Sequence, residues 1–249
     1  ALEHMVVGAL AAASLLGAGL SIPALFGIAA LLNALVAIYI YKLVPEFLIR
    51  FMAWLLTKAA YRLRSEGVEH IPHEGAALLV CNHVSFVDAV ILMGAAPRPI
   101  RFVMDHRIFK VPLLSYIFRH SGAIPIASAK EDAAMMESAF SEVQKALAAG
   151  DLVALFPEGG ITQDGEMQAF RPGISRILSA SAVPVVPVAL SGLWGSYFSR
   201  VDGGAMKTPF RRRLFSSVSL RAGPALSPEL ATPEHLRDIV LALRGKIGR

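Results

Sequence analysis

Asn82-His83-Val84-Ser85-Phe86-Val87-Asp88 sets an imidazole and a carboxylate five positions apart. The stretch follows Ala76-Ala77-Leu78-Leu79-Val80-Cys81, an unbroken apolar run of the kind that forms a buried strand. Ser85 offers an N-cap hydroxyl, and the largely apolar residues 86–93 continue as a helix. A strand that ends in histidine and turns straight into a helix puts the imidazole at the mouth of a sheet. A carboxylate on that helix can reach back to it, which is the layout of an oriented general base. The same residues have a purely structural reading. Ser85-x-x-Asp88 matches a capping box, in which Asp88 satisfies backbone N–H groups at the helix start and His83 is a loop histidine. For Asp88 the two roles are compatible, since capping also fixes a side chain in place.

A second strand end carries chemistry. In open α/β sheets, ligands bind beyond the carboxyl ends of the strands. The apolar run Leu152-Val153-Ala154-Leu155-Phe156 leads into Pro157-Glu158-Gly159-Gly160-Ile161-Thr162. An acid and two glycines there let the backbone approach a ligand closely, although a tight turn capped by a carboxylate has the same composition. Phe170-Arg171-Pro172-Gly173 then sets Arg171 just before a helix whose first residue is Pro172. A cation beside a helix N-terminus suits phosphate, and helix-start arginines without a ligand are also common.

These sites need a sheet to carry them, and the pattern after residue 66 supplies one. Strands are expected near 68–71, 76–81, 100–104, 122–126, 152–156 and 184–189, with helices near 86–95, 112–119, 131–149 and 172–180. A late strand at 217–222 and a closing helix at 233–244 follow. Strands interleaved with helices argue an α/β fold with a mixed, largely parallel sheet flanked by helices.

The front of the chain is different in kind. Over the whole chain 55% of residues are hydrophobic, and the excess lies in residues 5–20 and 23–41, two nearly uncharged runs separated by Ser21-Ile22-Pro23. Each approaches the roughly 20 residues needed to cross a hydrocarbon core. A signal peptide fits poorly, because Glu3 and His4 stand where basic residues belong and the apolar block is too long. Lys42, Arg50, Lys58, Arg62 and Arg64 all follow the second run, which by the positive-inside rule turns the body of the protein toward the cytoplasm. The expected organisation is membrane-spanning or membrane-embedded helices over 1–44, an amphipathic helix over 45–65 and an α/β domain over 66–249. The middle helix, with Phe47, Leu48, Phe51, Met52, Trp54, Leu55 and Ala59 on a broad apolar face, either lies in a membrane interface or packs on its own domain.

Net charge is +5, and Arg211-Arg212-Arg213 is the densest basic cluster. Beside membrane-seeking helices, an anionic lipid surface is a better partner for it than nucleic acid. Cys81 is the sole cysteine, so no intrachain disulfide forms. No metal site is expected, since His70-Ile71-Pro72-His73 lacks further ligands, and no Gly-x-Ser-x-Gly elbow is present.

Four ordered blocks carry a resemblance. They are Asn82-His83-x-Ser85-x-x-Asp88, Gly122-Ala123-Ile124-Pro125-Ile126, Phe156-Pro157-Glu158-Gly159 and Val183-Pro184-Val185-Val186-Pro187-Val188. Together they resemble the glycerolipid acyltransferases, the family of lysophosphatidic acid and lysophospholipid acyltransferases, over about residues 66–225. The front of the chain is similar to the last helices of lysophospholipid transporters that some bacteria fuse to such an acyltransferase, itself often followed by an acyl-ligase domain. A start at Ala1 is what an excised piece of such a fusion would show.

The resemblance implies transfer of a fatty acyl group from an acyl-carrier-protein or CoA thioester to the free hydroxyl of a lysophospholipid, with acylation of 1-acylglycerol-3-phosphate (lysophosphatidic acid) in phosphatidic acid synthesis as the alternative. No cofactor beyond that co-substrate is implied. His83 would be the base and Asp88 its orienting acid. Asn82, Ser85, Glu158, Gly159 and Thr162 would shape the acceptor pocket, with Arg171 on the phosphate. Backbone N–H groups near Gly159 or Ser85 would stabilise the oxyanion. The chain departs from the family pattern where Gly160-Ile161-Thr162 replaces an arginine-containing sequence, and where a basic residue is missing after Ile126. Arg101, Arg107, Lys110 and Lys130 are the candidate substitutes. The implied setting is a bacterial inner membrane with the catalytic domain in the cytoplasm. A lipid-binding or transporter fragment is the non-enzymatic alternative, and it leaves His83 and Asp88 without a role.

Overall fold

The structure, a computed structural model, describes residues 2–43, 45–201 and 217–245, so the Arg211-Arg212-Arg213 cluster lies outside the described residues. The chain divides into two compact units, residues 1–48 and 49–249. The first contains α1 (Leu2–Gly17) and α2 (Ile22–Leu43). Among the described residues, α2 alone is long and apolar enough to cross a membrane, and none of its side chains is buried. The earlier apolar run forms a helix of 16 residues, short of a full span.

The second unit is built on one sheet. Among the described residues it has seven strands: β1 (Arg62–Glu66), β2 (Ala77–Cys81), β3 (Ile100–Asp105), β4 (Ile124–Ile126), β5 (Leu152–Leu155), β6 (Val185–Ser191) and β7 (Ser217–Ala222). They lie in the order β1-β7-β6-β2-β5-β3-β4. Strands β2 to β6 are mutually parallel, and β7 pairs antiparallel with β6 and parallel with β1. The sheet is therefore mixed and largely parallel, as the interleaved pattern implied.

Every residue of β2 and β5 is buried, which is why both read as unbroken apolar runs. Side-chain alternation sends Ala77, Leu79 and Cys81 into one core and Leu78 and Val80 into the other. The first core is covered by α4 (Asp88–Ala95) and by the part of α3 (Pro45–Ala60) from Ile49 onward. The second is covered by α6 (Ala133–Ala148), α7 (Gly173–Ala180) and α8 (Pro233–Arg244). A further helix, α5 (Pro112–His120), connects β3 to β4.

Three local expectations are corrected. The helix expected through residue 65 ends at Ala60, and Arg62 and Arg64 lie on the edge strand β1. Residues 68–71 are not a strand: Gly67 takes φ +71° and starts a 3₁₀ turn at Val68–His70. The helix after β2 begins at Asp88 rather than Phe86, because Ser85 bridges to Ser199 and Phe86 N donates to Phe198 O.

From Ile49 onward, α3 meets the domain through its smallest residues. Ala53 and Thr57 are buried, and Arg50 donates to Ala96 O at 3.0 Å. Phe51, Met52, Trp54, Leu55 and Leu56 face outward. Helix α4 comes close enough that a Cβ at Gly94 would lie 3.1 Å from Trp54 Cα and 3.2 Å from Ala53 O. Gly94→Leu should therefore part the two helices and lower stability by about 1–3 kcal/mol, read from thermal unfolding of the detergent-solubilised protein.

Candidate active site

Val80 pairs with Leu155, so the carboxyl ends of β2 and β5 emerge side by side. Residues 82–88 leave one strand and residues 156–162 leave the other. His83 Nδ1 lies 2.8 Å from Asp88 Oδ2, and its side chain is 21% exposed while that of Asp88 is fully buried. A carboxylate accepts, so Nδ1 carries the proton and Nε2 is left with its lone pair. Among the described residues, Nε2 has no partner.

Asp88 accepts from more than the imidazole. Val84 N and Ser85 N reach Oδ2 at 2.6 and 2.9 Å, and Ser85 Oγ reaches Oδ1 at 2.7 Å. The capping box expected at Ser85 does not form, since α4 starts at Asp88 after Val87 with no side-chain cap; the Asp88 carboxylate instead closes the preceding turn through Val84 and Ser85 and also meets the ring. Phe156 stacks on the other side of the imidazole, centroids 4.3 Å apart and planes 18° apart.

The main chain of His83 is gripped as well. Its N–H donates to Glu158 Oε1 at 2.6 Å, and its carbonyl accepts from Thr162 N at 3.0 Å. The other Glu158 oxygen accepts from Gln168 N at 2.7 Å. Burial pushes the Glu158 carboxyl above its ordinary value, against those two main-chain donors and the nearby His83, which pull it down. Tyr61 is pushed up to about 12, first by burial and then by the charge of Asp88. Burial also raises the Cys81 thiol, with Asp88 and Glu158 adding to it, which makes Cys81 a packed thiol and a poor nucleophile.

Several expected pocket residues have other work. The Asn82 amide acts as a surrogate peptide beyond the end of β2, with Nδ2 donating to Leu190 O at 3.0 Å and Oδ1 accepting from Leu190 N at 2.8 Å. Ser85 is fully buried on Asp88. The Thr162 hydroxyl turns into its own loop, donating toward Asp164 Oδ1 and Glu166 O and accepting from Gly165 N. Glu158 is a clamp between loops. These four position the site rather than line it.

Gly159 and Arg171 do meet. At φ +71°, a Cβ on Gly159 would fall 2.3 Å from Arg171 Cζ, so only glycine lets the guanidinium lie against this turn. Arg171 is exposed, and among the described residues its guanidinium has no hydrogen-bond or ion-pair partner.

The proposed substitute cations divide. Arg101 sits at the opposite, amino-terminal edge of the sheet, beside Val153 in register and 2.7 Å from Asp151, so it is remote from His83. Arg107 lies past the carboxyl end of β3 but forks onto Asp105, whose carboxyl it holds below the ordinary value. Lys110 and Lys130 are exposed beyond the ends of β3 and β4. The main-chain donors expected for an oxyanion are occupied: Ser85 N by Asp88 and Gly159 N by Phe156 O. Gly160 N–H, one residue on, makes no hydrogen bond among the described residues.

Sequence reasoning missed Phe156 as the ring beneath the imidazole, although its place at the end of β5 beside that of β2 marked it. It also missed Arg200, whose guanidinium lies 5.6 Å from the centroid of the Phe86 ring, next to the His83 turn. Nothing in the spacing of Arg200 announced that contact.

The sequence profile of the family described as Acyltransferase matches residues 62–191, a little over half of the chain. A chloroplast 1-acyl-sn-glycerol-3-phosphate acyltransferase of Arabidopsis thaliana is 26% identical over 148 residues, covering 59% of this chain and 41% of the plant protein. A 1-acyl-sn-glycerol-3-phosphate acyltransferase of Borreliella burgdorferi is 22% identical over 144 residues, covering 57% of this chain and 55% of its own. The chain thus spans about half the length of these relatives. The crystal structure of a 1-acyl-sn-glycerophosphate acyltransferase from Thermotoga maritima superposes with a TM-score of 0.61 at 22% identity, over 80% of this chain and 76% of that one. That likeness establishes the fold.

The Glu158 clamp has a pH signature. In the unfolded chain this carboxyl ionises first, so in the interval up to its raised folded value the native state holds more protons. Stability relative to Glu158→Gln should fall as pH rises through that interval and level off above it, as read from the difference in melting temperature between the two proteins.

Proposed function

The chain belongs to the acyltransferase family, and from that membership we propose a membrane-associated enzyme that moves a fatty acyl group from a thioester to the free hydroxyl of a lysophospholipid. The observation that carries this reading is the His83–Asp88 pair. Its Nδ1 side is consumed by a buried carboxylate at 2.8 Å, and its Nε2 lone pair is left for a substrate proton.

A glycerol hydroxyl is a weak nucleophile at neutral pH and needs a base within hydrogen-bond reach. His83 Nε2 takes the hydroxyl proton as the oxygen attacks the thioester carbonyl carbon. Asp88 holds the tautomer and stabilises the imidazolium that forms. The tetrahedral intermediate then collapses, the carbon–sulfur bond breaks and the imidazolium returns its proton to the departing thiolate. An ester and a free thiol result, and the protein supplies no covalent nucleophile. Gly160 N–H, uncommitted among the described residues and next to Gly159, is the candidate main-chain donor for the transient oxyanion.

Lysophosphatidic acid is the acceptor favoured among lysophospholipids. The unpaired guanidinium of Arg171 against Gly159 suits a phosphate monoester, and the relatives' names specify that substrate. The donor is an acyl-carrier-protein or CoA thioester. Membrane association follows from α2 and from the outward apolar side of α3, which would lie in the lipid interface. The positive residues after α2 support a reading in which the catalytic domain faces the cytoplasm from a bacterial inner membrane. A fused transporter or acyl-ligase partner belongs to the same reading.

Purified protein in lipid–detergent micelles should convert lysophosphatidic acid and a labelled acyl thioester to the diacyl product, and a panel of lysolipids against both donors should rank lysophosphatidic acid first. A complete lack of product with all acceptors and both donors would instead support a passive lipid-binding fragment. His83→Ala should lower turnover by about 10²–10⁴-fold while leaving the melting temperature in place. Near-wild-type turnover in that variant would reject the base assignment. Arg171→Ala should raise the KM for lysophosphatidic acid about 10-fold while leaving the KM for the thioester unchanged, the loss of a charge-assisted phosphate contact.

A further inference from the structure

From the closing helix we infer a positioning role for Arg237 and Arg244: they set His83 through the loop of residues 162–168, an inference that rests on the acyltransferase reading above. Neither arginine touches the candidate site. Arg237 forks onto two successive carbonyls of the loop, Nη2 to Met167 O at 3.2 Å and Nε to Gln168 O at 3.3 Å. Arg244 donates from Nη1 to Gly165 O at 3.2 Å and from Nη2 to Glu166 Oε2 at 3.4 Å.

Arg244 is an unusual residue to bury. Its side chain is 6% exposed, its carboxylate partner Glu166 is 69% exposed, and its Nε lies buried without a partner among the described residues. Enclosing a guanidinium this way costs free energy that one exposed ion pair does not return. Its position in the last turn of α8 offsets part of that cost through the helix dipole. What the burial achieves is a fixed Gly165. That residue takes φ +86° with the Trp194 indole 2.8 Å from where a Cβ would stand, so the loop is also packed against Trp194 at its tethered residue.

The loop reaches the main chain of His83 along two lines, one through Glu158 and one from Thr162. Gln168, whose carbonyl Arg237 holds, donates its own N–H to Glu158 Oε2 at 2.7 Å, and Glu158 Oε1 takes the His83 N–H at 2.6 Å. Thr162, at the other end of the loop, holds the His83 carbonyl. Both main-chain groups of His83 therefore depend on a segment whose carbonyls are pinned by α8, and α8 is anchored by the fully buried Leu236 and Val240. Loosening the pins lets His83 drift from the reacting atoms, and sub-ångström to ångström displacements are costly in rate.

The test uses the full chain in micelles with lysophosphatidic acid and the thioester that the wild type uses. Arg237 is partly exposed, so Arg237→Ala should keep its melting temperature within a few degrees. It should lower kcat about 10-fold with both KM values unchanged. Arg237→Lys, able to reach one carbonyl, should recover part of the loss, and Arg244→Met should repeat it. In a Glu158→Gln background, Arg237→Ala should cost less than it does alone, because one of the two lines to His83 is already weakened. Unchanged kcat, a loss confined to KM, or losses that multiply in the double variant would each overturn the inference. Hydrogen exchange keeps the question separate from the substrate assignment: Arg237→Ala should speed exchange of the His83 and Gln168 amides about 10-fold while β2 stays protected. If no lysolipid is acylated yet those amides loosen, the acceptor reading fails and the tether stands; if turnover is normal and they do not loosen, the tether fails alone.

Discussion

A buried carboxylate with four donors governs this protein. Asp88 has no solvent contact, yet it draws in the His83 ring, two consecutive main-chain N–H groups and the Ser85 hydroxyl. An ionised acid in such a place is tolerable only because its lone pairs are satisfied. The turn between β2 and α4 is folded around that requirement. Three of the four donors come from Val84 and Ser85, so most of the carboxylate's satisfaction is independent of the imidazole. Orientation of the ring is thereby a by-product of satisfying a buried charge.

The surrounding structure repeats one device, in which side chains stand in for peptide groups where strands run out. The Asn82 amide continues the pairing of β2 with β6 past the last ladder position, through the two main-chain groups of Leu190. The Glu158 carboxylate joins the end of β2 to the loop after β5 by taking one main-chain N–H from each. Parallel strands end without a hairpin to hold them, and an active-site mouth needs those ends spread yet rigid. Short polar side chains meet both demands. They also explain why polar residues at strand ends mimic ligand-binding residues in a sequence.

That mimicry marks how far the sequence could be read. The His83–Asp88 contact was legible because five residues and one turn determine it. The bounds of β7 and α8 came out residue for residue, since alternation and a Thr-Pro start are local signals. The role of Glu158 was not legible, because its partner lies 75 residues away and only the adjacency of β2 and β5 brings them together. Arg101 was misplaced for a related reason: one-dimensional order does not say which end of a strand a residue decorates, and this one faces Asp151 at the far edge. Strand β1 escaped notice because Arg62-Leu63-Arg64-Ser65-Glu66 carries edge-strand charges that continue the polar face of the preceding helix.

Helix α3, from Ile49 onward, turns its small residues inward and its large apolar ones outward, the reverse of a helix on a water-soluble domain. If that side rests in lipid, the catalytic domain works in two dimensions. An acceptor with one acyl chain then reaches His83 by lateral diffusion, and its effective concentration is a mole fraction of the surface rather than a molarity. Diluting the bilayer with inert lipid would slow such an enzyme even at constant bulk substrate, and adding more vesicles of the same composition would not. With that seating, the inverted face of one short helix would decide in which units the protein measures its substrate.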